Sequence, residues 1–115
     1  MQAIQPQDYF DFLMLMKKCR TIITDSGGIQ EEATAPPIRK PVLVARLFTE
    51  RPEAVDAGFA KVVGVARKSI LASINRTLRK QAILPEISPF GEGNAGKRIV
   101  NILASLLTPK PKIRE

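Results

Sequence analysis

Histidine is absent from the 115 residues, and cysteine occurs once, as Cys19. Without histidine the chain holds no His-ligated metal centre and no Ser-His or Cys-His nucleophile pair of its own. A single thiol has no internal partner, so no disulfide framework exists and a reducing compartment is expected. Tryptophan is also missing, and only Phe90 is aromatic beyond Phe59. Long apolar runs are lacking too. The longest is residues 12–16 (FLMLM), against the roughly 18 a membrane helix needs. Residues 1–11 carry two acids and no basic stretch, unlike a secretory leader. These absences point to a soluble cytoplasmic protein with no metal, no cofactor and no membrane partner.

What is present is ordinary for a globular chain: 44% apolar and 25% charged residues, which excludes the composition of disorder. The length allows one domain at most, since domains usually run about 100–200 residues. The net charge of +7 is unevenly spread. Residues 1–60 hold seven basic and eight acidic side chains, and residues 61–115 hold eleven and three. A basic half can serve nucleic acid or another anion, but a binding face for single strands interleaves aromatics with its cations, and this one does not. A solvated helix face and a basic tail account for it more simply.

The pattern alternates helix and strand. Residues 8–18 read as a helix with Asp8 as N-cap and Lys17 and Lys18 in the last turn, where the dipole favours cations. Only Asp11 interrupts its apolar run, so more than one face should be covered. Residues 20–24 (RTIIT) and 41–46 (PVLVAR) have the β-branched, apolar character of buried strands, and residues 59–65 (FAKVVGV) add a third. Between them, residues 25–28 (DSGG) form a turn and residues 29–35 a helix that Pro36 and Pro37 end. Residues 52–57 suit a short helix, with Pro52 at its first position and Gly58 just past its end. Residues 67–81 and 95–107 are longer helices, separated by an irregular Pro/Gly-rich stretch over 85–93. Residues 108–115, with two prolines, form a basic tail.

Strands alternating with helices imply an α/β fold with a parallel sheet and right-handed crossovers. Three strands are few for a sheet that normally has both faces covered and its edges protected. The chain therefore reads as part of a domain.

Chemistry concentrates in residues 24–33, TDSGGIQEEA. A strand running into Ser-Gly-Gly and then a helix gathers free backbone N–H groups at a positive helix end, where glycines let an anion approach closely. Parallel sheets bind ligands at the carboxyl ends of their strands, which is where this turn lies. Ser26 adds a hydroxyl. Glu32, four residues after Gly28, lies one turn up on the same face, and its carboxylate suits a ribose diol beside a bound phosphate. A plain strand-to-helix turn with an acidic first turn explains the same residues equally well.

Together, SGGIQEEA (26–33), KPVLV (40–44) and TERPEAVDAG (49–58) resemble the non-hydrolysing UDP-N-acetylglucosamine 2-epimerase family. QPQDYFDFL (5–13) and SPFGEGNAGKRIV (88–100) resemble its flanking segments, so the likeness runs in family order over about residues 5–103. The resemblance implies two Rossmann-like domains of glycosyltransferase-B-like architecture with the site in the cleft between them. Residues 1–107 would be the latter part of the second, UDP-binding domain: a partial parallel sheet of three strands with flanking helices. It further implies that Ser26, Gly27 and Gly28 hold a pyrophosphate, Glu32 the ribose, Gln7 and Phe12 the uridine, and Arg51 the substrate. Without the resemblance, Phe12 is a core residue, Gln7 a polar residue at a helix start and Arg51 a surface arginine. Asp25 and Glu31 read as structural, and Cys19 as a small buried hydrophobe.

In the family, epimerisation at C2 proceeds by elimination of UDP and re-addition to the other face of the sugar. The acid/base carboxylates for this lie in the first domain, and a histidine-containing motif opens the second. The resemblance thus implies a UDP-GlcNAc/UDP-ManNAc ligand, no catalytic residue in this chain, a first domain or a partner chain to complete the site, and a homodimer as a further assembly. Two departures stand out. The link at residues 34–39 (TAPPIR) is two residues longer than usual, and Leu47-Phe48 replace a small polar pair before TERPE. A non-catalytic nucleotide-binding module and a basic nucleic-acid-binding protein are the competing readings.

Overall fold

The computed structural model describes residues 2–107; the basic tail expected at 108–115 lies outside the described residues. Eight elements follow one another: α1 (Tyr9–Lys18), β1 (Ile22–Thr24), α2 (Gly27–Glu32), β2 (Val42–Val44), α3 (Pro52–Asp56), β3 (Ala60–Val62), α4 (Arg67–Arg79) and α5 (Ala95–Leu107). The strands form one parallel sheet in the order β1-β2-β3. Ile22 and Ala60 flank Val42, and Thr24 and Val62 flank Val44. This is the expected α/β arrangement. The strands are shorter than the apolar runs that flag them, but the ladder continues beyond them: Ala45 N–H donates to the Thr24 carbonyl and Val63 N–H to the Val44 carbonyl, both at 2.9 Å.

The central strand is buried along its whole length. By strand alternation Val42 and Val44 face one side, where they join Met16, Ala33, Ala54 and Ala60 in the core, with Phe12, Ile22 and Ile29 packed against it. Leu43 faces the other way, toward α4. The caps are as the sequence implies. Asp8 Oδ1 accepts the Asp11 N–H at 3.0 Å, and α3 starts on Pro52. Gly58 follows α3 at φ +86°, a conformation glycine adopts without steric cost.

Three features depart from expectation. Helix α2 spans Gly27–Glu32 rather than the expected 29–35, with Gly27 and Gly28 inside its first turn, because Ser26 supplies the N-cap two residues earlier than an Ile29 start requires. Helix α1 buries only Met16. Tyr9, Phe10, Met14 and Leu15 stay exposed, because the described residues bring no second element onto that face. The long link at 34–39 is folded down by two contacts. Arg39, in a left-handed conformation at φ 44°, donates from its guanidinium to the Leu84 and Pro85 carbonyls at 2.9–3.2 Å. The buried Thr34 and Ser88 hydroxyls meet at 2.5 Å.

Candidate functional site

The loops after β1 and β2 leave the carboxyl end of the sheet side by side, because Thr24 and Val44 are register partners. The first loop leads directly into α2. Ser26 N–H donates to Thr24 Oγ1 at 3.0 Å, and Ser26 Oγ accepts weakly from Ile29 N–H at 3.5 Å. Around Gly28 the space is open: a Cβ there would meet only Ser26 Oγ, at 4.0 Å. Beside Gly27 it is not. The Arg51 guanidinium carbon lies 3.5 Å from where a Gly27 Cβ would stand, so a cation and a glycine-lined helix start share one surface.

Arg51 is held there from several sides. Its Nε donates to the Glu31 carboxylate in a close ion pair, its Nη1 to the Glu50 carbonyl at 3.0 Å, and its backbone N–H to Thr49 Oγ1 at 3.0 Å. Thr49 Oγ1 in turn donates to Gln30 Oε1 at 2.6 Å, and Gln30 Nε2 donates to the Ser26 carbonyl at 3.2 Å. Gln30 is wholly buried, with both ends of its amide satisfied. Sequence reasoning missed Gln30 and left Glu31 as structural; the legible signal was a polar residue on the inward face of α2.

Glu32 lies on α2 as expected and accepts a hydrogen bond from the Tyr9 hydroxyl at 3.2 Å. The nearby carboxylate charge, then the hydrogen bond, then slight burial push the Tyr9 phenol above its ordinary range. Phe12 is half-buried on α1, packed against the core, and lines a hollow of about 310 Å³ with Ile29 and β1 residues. Phe12 is thus core on one side and wall of that hollow on the other. Gln7 precedes α1 and turns its amide to the Gln5 carbonyl at 2.7 Å. The structure thus joins Ser26, Gly27, Gly28 and Arg51 directly and ties Glu32 to the helix that carries Phe12, while Gln7 stands apart. Leu47 and Phe48 are exposed, and the Arg46 guanidinium stacks over the Phe48 ring at 5.3 Å. Among the described residues no cluster of three or more metal-ligating side chains occurs, and no helix is long and apolar enough to cross a membrane. Burial pushes the Cys19 thiol up, against weaker opposition from Lys40 and neighbouring backbone N–H groups.

The model of the family described as UDP-N-acetylglucosamine 2-epimerase matches residues 1–104. The chain belongs to that family. It is similar to the UDP-N-acetylglucosamine 2-epimerases of Campylobacter jejuni and Escherichia coli K12, at 46% identity over 104 residues in each case. These alignments cover 87% of this chain and 27% of each relative, so the chain spans little more than a quarter of their length. Among solved structures it resembles the Neisseria meningitidis UDP-GlcNAc 2-epimerase bound to UDP-GlcNAc, at 46% identity and a TM-score of 0.73 over 89% of this chain and 28% of that one. It also resembles S. aureus MnaA in its UDP co-structure, at 43% identity and a TM-score of 0.79 over 96% and 31%.

Proposed function

We propose that this chain is the UDP-holding portion of a UDP-N-acetylglucosamine 2-epimerase, with residues 1–107 forming the latter part of its second Rossmann-like domain. The observation that carries the reading is the apposition of the Arg51 guanidinium and the Ser26-Gly27-Gly28 helix start at the carboxyl end of a parallel sheet. Backbone N–H groups and a guanidinium at one point stabilise charge growing on a departing diphosphate without moving a proton. The ribose diol would take Glu32 as acceptor, and the uracil would lie toward Phe12 and Gln7. Relatives of this family bind UDP-GlcNAc or UDP in solved structures, which supports a UDP-sugar as ligand. Proton transfer at C2 requires acids and bases outside this chain, in a first domain or a partner chain. The 115-residue chain alone is therefore expected not to interconvert UDP-GlcNAc and UDP-ManNAc.

Titration of UDP and ADP into the wild type and Glu32→Ala tests the site. UDP should bind the wild type more tightly than ADP does. Glu32→Ala should lose about tenfold or more toward UDP, the range for a hydrogen bond to a charged group. Equal affinity in all four titrations would discard the reading.

A further inference from the structure

Gln30 is an amide with no solvent exposure on the inward face of a short helix, where an apolar side chain would pack without the cost of pairing a buried polar group. Its two ends touch two different loops. Nε2 holds the Ser26 carbonyl, at the cap of α2, and Oε1 holds the hydroxyl of Thr49, two residues before Arg51. Thr49 passes the contact on to the Arg51 backbone N–H, and Glu31, the next residue along α2, takes Arg51 Nε. One helix therefore grips the arginine segment at its backbone and at its side chain. The Arg51 Nη2 group, 3.6 Å from the Gly27 Cβ position, has no acceptor among the described residues.

We infer that Gln30, Thr49 and Glu31 are positioning residues that set Arg51 beside Gly27, so that its guanidinium is in place for an anion before one binds. This rests on the reading of that surface as a diphosphate site. The physical reason is pre-organisation. An arginine has several rotatable bonds, and freezing it only upon binding would cost side-chain entropy that the ion pair and the Thr49 contact remove beforehand. Glu31 takes only the Nε edge, which leaves the Nη2 edge for a phosphate oxygen.

The clean perturbation is Thr49→Val, which keeps the shape and removes the hydroxyl, with Thr49→Ser as the variant that restores it. Two readouts on the 115-residue chain decide the matter. The first needs no ligand: the side-chain Nε–H resonance of Arg51 should be distinct and slowly exchanging in the wild type and Thr49→Ser. It should move toward the free-arginine position in Thr49→Val and in Glu31→Ala, while the Val42–Val44 backbone amides stay in place. The second is binding. Thr49→Val should weaken UDP about threefold to tenfold, as expected for one lost hydrogen bond, and leave uridine, which has no phosphate, unchanged; Thr49→Ser should match the wild type.

An Arg51 resonance indifferent to both Thr49→Val and Glu31→Ala overturns the inference, as does equal weakening of UDP and uridine or a Thr49→Ser variant as weak as Thr49→Val. Failure of the wild type to bind UDP overturns the nucleotide reading and the diphosphate role of Arg51 together. In that case the Nε–H resonance still decides whether the network holds the arginine.

Discussion

Tyr9 and Glu32 make a reporter out of two residues. Tyr9 is the only tyrosine and the sequence has no tryptophan, so an ultraviolet pH titration sees that one phenol. Its titration should fall above the ordinary tyrosine value of about 10 and move back toward it in Glu32→Gln, because the carboxylate charge is the first cause of the upward shift. The sign follows from linkage: a group whose folded value is raised contributes stability that is fully present below its unfolded value and lost as pH rises through the raised one. The contact is thus intact at neutral pH and is lost in alkali as the phenol ionises. Gly28 separates binding from stability in the same way. Its surroundings are open and its position is helical, so Gly28→Ala should leave the chain as stable or about 0.5–1 kcal/mol more so by helix propensity. The added methyl nevertheless fills the approach to the backbone, so UDP affinity should fall, and a thermal melt beside a UDP titration checks both halves. Cys19, whose thiol burial holds protonated, should react with iodoacetamide more slowly than a free cysteine at neutral pH.

The link between α2 and β2, residues 34–39, has a geometry that predicts its energetics. Arg39 accepts a left-handed backbone, and its guanidinium binds two carbonyls of the segment before Ser88. Arg39→Ala loses those bonds and keeps the unfavourable backbone, whereas Arg39→Gly loses the bonds and relieves it. Urea unfolding should therefore rank wild type above Arg39→Gly and Arg39→Gly above Arg39→Ala, the last two differing by roughly 1–2 kcal/mol. The sequence marked this link by its extra length, and it marked the helices by Asp8, Pro52 and Gly58. It did not mark that residues 84–88 fold back onto the link, because the Leu84 and Pro85 partners are carbonyl oxygens, which no side-chain pattern records, and Thr34 and Ser88 are far apart in the chain.

At the scale of the molecule, two helices lack a full complement of neighbours. The described residues extend 75 × 29 × 23 Å with a radius of gyration of 19.6 Å, well above the roughly 13 Å of a compact 100-residue domain. Helix α5 exposes Ile99, Ile102, Leu103 and Leu106, spaced along one stripe, and α1 exposes Tyr9, Phe10 and Met14. Both outer strands of the sheet, β1 and β3, present a free edge among the described residues. The 115-residue chain on its own should therefore self-associate and unfold at low denaturant. Sedimentation velocity across a range of concentrations should show species larger than a monomer, and Ile102→Glu with Leu106→Glu should reduce them. A compact, highly stable monomer would contradict this.

The alternation of elements, the Asp8 cap of α1, the Pro52 start of α3 and the Gly58 stop after it are local properties, and the sequence by itself determined them. They depend on residues within a turn or two of one another, where side-chain spacing and backbone preference act directly. The approach of Arg51 to Gly27, the burial of Gln30 and the bond from Tyr9 to Glu32 were decided only by the tertiary structure. Each joins residues 19 to 24 positions apart. The first two exist because the parallel register sets Thr24 beside Val44 and brings the loops beyond them together, and the third because α1 and α2 pack on the same core.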